Sequence, residues 1–301
     1  MKASTKNAIK QNITGYLFAS PWLLGFLIFM AVPICLSLYY SLTYYVMPKA
    51  PKFIGFTNYV FMFTKDPLFW KSLYNTLYYV VIGVPAGLVV GLAVAVLMNQ
   101  KVGGIKIYRT IFYLPNVVSL VAVSILWQWV FDTNFGLINT TLQRIGIDGP
   151  GWLTDAKWAK LSLIIMSLWY VGSSMIIYLA ALQDVPRSLY ESAYIDGASS
   201  AVKFFQITLP MITPSIFFNV IMGIIGGFQV FTQALIMTGG NPGNSTLFYA
   251  YHLYNKAFYL ESSMGYGSAM AWFLLVITFI LTVIIVKTSN MWVYYEDGGN
   301  K

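Results

Sequence analysis

Charge is what this chain has least of. Only 9% of its 301 residues are Asp, Glu, Lys or Arg, where a water-soluble domain carries about a quarter, and this argues against a soluble globule. One cysteine, Cys35, and one histidine, His252, are too few for a disulfide framework, a His/Cys metal cluster or a Cys-His nucleophile pair. No GxxxxGK[ST] loop occurs, so the chain lacks the phosphate cradle needed to bind and hydrolyse ATP itself. Aromatics are plentiful at 17%, which removes disorder as an option. The net charge of +8 would suggest nucleic acid in a soluble chain, but here short basic loops beside a membrane account for it.

The charges are also confined. Residues 11–48, 72–100, 110–131, 161–183, 204–255 and 262–286 contain none, and a bilayer-crossing helix needs about 20 mostly apolar residues. A charge at mid-bilayer costs about 2.5 to 3.5 kcal/mol on insertion scales. This pattern predicts an all-α polytopic membrane protein with six transmembrane helices, over Tyr16–Thr43, Asn75–Met98, Tyr108–Phe131, Leu161–Leu182, Ile212–Met237 and Ser268–Val286. A lead-in over 1–15, one membrane domain over 16–287 and a tail over 288–301 complete the chain. Lys2, Lys6 and Lys10, and the loop carrying Lys101, Lys106 and Arg109, have no acid beside them; the positive-inside rule puts both in the cytoplasm, and with six spans both termini. Metal ligands, cofactors and catalytic residues are expected to be absent. A lone histidine in an extracytoplasmic loop reads as a plain polar residue. Gly83, Gly87 and Gly91, at i, i+4 and i+8, form a ridge for close helix packing. Spans free of ionisable groups disfavour a self-sufficient ion-driven transporter, and the lack of a clustered nucleophile, base or metal set disfavours a membrane-bound enzyme.

The informative polar segment is 183–210, between the fourth and fifth spans. Asp184 and Pro186 read as a helix start, and Gly197 as the left-handed residue beyond a helix end. A second short helix is expected from Ser199 to just before Pro210. Leu189, Tyr190, Ala193 and Tyr194 would give the first helix an apolar stripe that a partner protein could bury.

Glu191-Ser192-Ala193, three residues, Gly197, nine residues, Ile207, one residue and Leu209-Pro210 resemble the EAA motif of permease subunits in binding-protein-dependent ABC importers. Six of seven fixed positions match, Ser192 replacing the first alanine; chance would produce this on the order of once in 10⁴ chains. Phe53-Ile54-Gly55-Phe56-Thr57-Asn58-Tyr59, Asp66-Pro67-Leu68-Phe69-Trp70 with Asn75-Thr76-Leu77, and Tyr108 to Pro115 resemble the carbohydrate-uptake branch, in particular its maltose-permease-like first subunit. So do Phe135-Gly136-Leu137-Ile138-Asn139, Thr238-Gly239-Gly240-Asn241-Pro242-Gly243 and Gly265-Tyr266-Gly267-Ser268-Ala269. The resemblance implies the type I ABC importer permease fold, a bacterial inner-membrane location, a second permease subunit, a cytoplasmic ATP-binding subunit pair and an extracytoplasmic sugar-binding protein. It implies further that Leu189, Tyr190, Glu191, Ser192, Ala193, Tyr194, Asp196, Gly197, Ile207, Leu209 and Pro210 form the coupling element, with Glu191 pinning the loop and Gly197 as its joint.

For the transport path, Asn219, Gly223, Gly226, Gln229 and Gln233 fall at helical spacings of three and four and would share a face. Trp169, Tyr170, Ser174 and Tyr178 are candidates for a second wall. Hydroxyls, amides and flat rings suit a neutral sugar.

Overall fold

The computed structural model describes residues 2–259 and 262–294, with side chains from residue 14 onward. The side chains of Lys2, Lys6 and Lys10 and the tail from residue 295 therefore lie outside the described residues. The chain divides into two compact units, 1–65 with 253–273 and 66–252 with 274–301.

In the first unit the helix Lys2–Phe26 runs through a π-helical turn, Leu27–Ala31, into Val32–Ser41. Its apolar side chains, Phe18, Trp22 and Phe29 among them, are exposed, as a helix bathed in lipid requires. A two-stranded antiparallel ribbon follows, Thr43–Tyr44 against Lys52–Phe53, with Thr43 opposite Phe53. Asn58 closes it by donating from Nδ2 to the Ser41 and Thr43 carbonyls, 2.9 Å each.

The second unit is the larger of the two. Its axis is the 30-residue helix Phe69–Met98, which Pro85 does not break. Three helices long and apolar enough to cross a membrane occur among the described residues, Thr14–Ser41, Phe69–Met98 and Met264–Ser289. Three bent pairs bring the count to six, if each is one span: Ile105–Val117 with Leu120–Val130, Ala156–Tyr170 with Gly172–Asp184, and Ser200–Met211 with Thr213–Phe228.

The bends are of 101°, 48° and 64°; the first two fall inside predicted spans, correct the straight helices that hydropathy predicts, and have local causes, while the third lies at Ile212, where the fifth predicted span begins. In the first, Pro115 lies in a 3-10 turn and Val118 turns extended. In the second, the turn Leu168–Tyr170 is 3-10; the Tyr170 carbonyl at this break accepts from Asn116 Nδ2 at 3.2 Å. The fifth predicted span also ends early: the helix Thr213–Phe228 stops after Gly226 and Gly227, and the chain resumes as Thr232–Met237. Glycine costs about 1 kcal/mol relative to alanine inside a helix, so two in succession make this a weak point.

Packing explains part of the glycine ridge. Gly91 meets Ser174 and Tyr178 with no room for a Cβ, whereas Gly87 has nothing within 4 Å and faces a cavity. Below that cavity a core of Val94, Met98, Met175, Tyr178, Leu182 and Ile212 joins the helices. Burying side chains of this size removes roughly 1.5 to 3 kcal/mol each of apolar exposure in a water-solvated protein; where lipid is the solvent, close packing rather than water exclusion holds such a core.

Candidate functional site: an exposed elbow and a central cavity

The segment after Asp184 leaves the bundle and returns. Asp184 is the last residue of Gly172–Asp184 and does not cap the next helix, as the sequence suggested; Pro186 takes that position, and the helix is Arg187–Ile195. It ends as expected. Gly197 N–H donates to the Tyr194 carbonyl at 3.1 Å and Ala198 N–H to Ala193 at 2.9 Å, the paired bonds of a Schellman cap, with Gly197 at φ +75°. No residue of Arg187–Ile195 is buried. Tyr194 and Ile195 are 76% and 84% exposed, and Leu189 is exposed beside them. Ser192 and Asp196 are also exposed. Glu191 is exposed, and its carboxylate takes no hydrogen bond among the described residues.

Two contacts brace the elbow. The Tyr190 hydroxyl and Thr208 Oγ1 lie 2.7 Å apart, and Lys203 Nζ sits 5.7 Å from the centre of the Tyr194 ring, within cation–π range. The returning limb starts where predicted, with Ser199 Oγ accepting from Val202 N–H at 3.4 Å, but it does not stop before Pro210. Helix Ser200–Lys203 passes into a π-helical turn, Phe204–Thr208, and continues as Leu209–Met211. Pro210 has no N–H to give to an i−4 carbonyl, and a widened turn ahead of it accommodates that loss. Ile207 packs against the core and Leu209 is half-buried.

One helix connects this elbow to a cavity of about 410 Å³. Gly172–Asp184 carries Ser173 and Ser174 at one end and reaches the elbow at the other. The cavity is lined by Tyr170, Ser174, Asn219, Gly223, Gly226 and Gln233 of the residues the sequence proposed. Tyr79, Ser167 and Gly87 line it as well and were missed; Tyr79 and Gly87 both lie on the axial helix, whose residues carried no polar periodicity to mark them. Tyr178 does not line it: its ring is 0% exposed in the core below. Trp169 is exposed and meets Trp127 edge-on, at 5.8 Å. Gln229, at the end of Thr213–Phe228, is exposed outside the lining, because the break there takes it off the shared face. No Asp, Glu, Lys, Arg or His lines the cavity among the described residues. The Tyr170 hydroxyl is buried with no hydrogen-bond partner among the described residues.

Away from the elbow, buried polar side chains tie the loops down. Asn75 Nδ2 donates to the Asn244 and Leu247 carbonyls at 2.8 and 3.0 Å, and its Oδ1 accepts from Lys160 Nζ at 3.3 Å. Thr76 Oγ1 accepts from Tyr249 N–H at 2.8 Å. His252, read from sequence as a plain loop residue, is 2% exposed and its Nε2 lies 2.7 Å from Asp66 Oδ2. Among the described residues no group of three or more His, Cys, Asp or Glu side chains could hold a metal.

Residues 83–290 match the family model described as "Binding-protein-dependent transport system inner membrane component". The chain is 46% identical over 293 residues to the probable ABC transporter permease protein YesP of Bacillus subtilis (strain 168), covering 96% of this chain and 94% of that one. It is 37% identical to the lactose transport system permease protein LacF of Rhizobium radiobacter, covering 94% and 97%. Among solved structures it resembles a chain of a bacterial ABC transporter involved in the import of the acidic polysaccharide alginate, with a TM-score of 0.82, 25% identity and coverage of 96% and 99%. By the family model over residues 83–290 and these relatives, the chain belongs to the binding-protein-dependent transport system inner membrane component family, as an ABC importer permease of the type I fold.

Proposed function

We propose that this chain forms half of the translocation path of an ATP-driven importer whose cargo is a sugar or oligosaccharide, and that it receives the push of a separate ATPase through the loop 183–210. The observation that carries this reading is the continuity of Gly172–Asp184, which holds cavity hydroxyls at one end and leads into the elbow at the other. A rigid helix moved at its elbow end moves the cavity wall with it, and this is how closure of an ATPase pair is converted into alternating access. The elbow faces the cytosol, both termini lie on that side, and a second permease subunit and an extracytoplasmic binding protein complete the machine. The exposed Tyr194, Ile195 and Glu191 present apolar area and one carboxylate to the ATPase, and Glu191 finds its partner there.

The cargo class rests on chemistry. Serine and tyrosine hydroxyls, the Asn219 and Gln233 amides and the absence of charged lining among the described residues suit the hydroxyls of a sugar ring and offer nothing to neutralise a phosphate. The lactose permease relative and the alginate importer support the same class. An ion-driven transporter would keep ionisable groups along this route. The test is uptake of radiolabelled sugars by proteoliposomes holding the assembled importer. Gln233→Ala should shift the relative uptake of two sugars by about five-fold, the equivalent of roughly one net hydrogen bond, with the complex still assembled. Unaltered sugar preference would assign Gln233 to helix packing.

A further inference from the structure

A second cavity, of about 660 Å³, lies at the opposite end of the same helices from the elbow. Its lining includes Gln128, Asp132, Thr133, Thr154, Thr238 and Asn241. Three chain segments pass from one cavity to the other. Leu120 lines the central cavity and Gln128, eight residues on, lines the outer one, about 12 Å further along the helix. Gln233 is central and Thr238 outer; Ser167 is central and Thr154 outer. Trp127, the residue before Gln128, lines neither cavity, but its ring lies 5.1 Å from that of Phe131, which lines the outer cavity, and edge-on to Trp169, the neighbour of central Tyr170. The Trp127 indole N–H is buried without a hydrogen-bond partner among the described residues, a state that costs about 1 to 3 kcal/mol. The Tyr170 hydroxyl repeats this in the central cavity.

We propose that the outer cavity is a second saccharide-holding site, which binds the trailing rings of an oligosaccharide while the leading ring occupies the central cavity, and that Trp127 donates its N–H to the sugar between them. The inference rests on the sugar-importer reading and adds a site to it. The chemistry of the lining favours a sugar. Three amides, those of Gln128, Asn134 and Asn241, and three hydroxyls donate and accept, while the Asp132 carboxylate accepts from paired hydroxyls and is already held in place through Oδ1 by the N–H groups of Asn134 and Phe135, at 2.8 and 3.1 Å. No Lys or Arg lines this cavity among the described residues. With two sites in line, cargo length becomes a selected property: a single ring engages one cavity and a trisaccharide both.

Proteoliposomes containing the importer, with its binding protein outside, are offered radiolabelled glucose, maltose and maltotriose, and then galactose, lactose and galactosyllactose. The series that the unaltered importer takes up is kept. Asp132→Asn preserves the Oδ1 acceptor that orders the turn, Gln128→Ala truncates an exposed side chain, and Trp127→Phe removes the N–H while keeping a ring. Each is expected to depress trisaccharide uptake about five-fold more than monosaccharide uptake, in complexes that co-purify intact. Equal depression for every sugar length would make the cavity a docking surface for the binding protein and overturn the proposal, as would no change at all. If the unaltered importer takes up none of these sugars, the cargo reading falls first and this site with it, a result distinct from a loss confined to the variants.

Discussion

The two ends of the second unit are fastened in opposite ways. At the end away from the elbow, Asn75 is 0% exposed and makes three hydrogen bonds, two of them to carbonyls of a loop roughly 170 residues further along. Thr76, Asn139 and the Asp66–His252 pair do the same kind of tying. At the elbow no residue of Arg187–Ile195 is buried, and one hydroxyl pair and one cation–π contact brace the whole projection. Buried polar bonds are costly to leave unmade, so the first end holds one arrangement. The second has its side chains unburied and a left-handed glycine, Gly197, at its turn; in the function proposed above, that surface is kept for another protein and Gly197 is the joint. Fixed loops and a movable handle are what a lever across a membrane requires.

This contrast can be broken from either side. The largest effect is expected at the fixed end. Asn75→Ala leaves the Asn244 and Leu247 carbonyls without their donor, at about 1 to 3 kcal/mol each. A fall of several degrees in the thermal midpoint of the purified complex, with reduced yield, checks it; an unchanged midpoint would mean that the loop is held by something other than Asn75.

At the joint the expected outcome depends on the side chain chosen. No atom lies within 4 Å of a Cβ built on Gly197, so its strain is conformational: a left-handed residue other than glycine costs roughly 1 to 2 kcal/mol, and asparagine less than most. Gly197→Val should lower uptake and sugar-stimulated ATP hydrolysis strongly in an assembled complex, and Gly197→Asn should restore most of both. Equal loss in the two variants would shift the cause from backbone conformation to crowding against the ATPase.

A smaller effect is expected at the brace. Tyr190→Phe removes one hydroxyl from the pair with Thr208, worth about 1 kcal/mol. Sugar taken up per ATP hydrolysed should fall severalfold while hydrolysis itself continues, because a loosened elbow still docks but transmits less. Parallel loss of both rates would class Tyr190 as a docking residue.

Much of this was legible in the sequence, and the parts that were not share a cause. The charge-free stretches located three helices of crossing length and three bent pairs among the described residues, and the spacing through Glu191, Gly197 and Pro210 located the elbow together with its cap, since caps and turns depend on neighbours in sequence. Gln229 was misplaced because helical spacing assumes an unbroken helix and it lies at a break; Tyr178, one turn beyond the cavity-lining Ser174 on the same helix, is taken up by the core, which spacing alone does not reveal. Asn75 and His252 gave no local sign of their roles, as their partners come from distant segments. The phrases around Asn58, Asn75, Asn139 and Thr238 resembled a family before their purpose was visible; in the structure each contains a side chain that ties a loop. Tyr79, equally silent in sequence, lines the cavity on the axial helix, which packs against both Gly172–Asp184 and Thr213–Phe228.

The central claim is that the elbow is where another subunit's ATP-driven motion enters this chain. A cysteine in place of the exposed Tyr194, in a chain whose Cys35 is replaced by serine, can be cross-linked in native membranes with the ATPase subunit co-expressed. The account predicts a cross-linked band between the two chains whose intensity changes when a non-hydrolysable ATP analogue is added. A band absent under both conditions, together with labelling of that cysteine by a reagent confined to the outside of the cell, would contradict it.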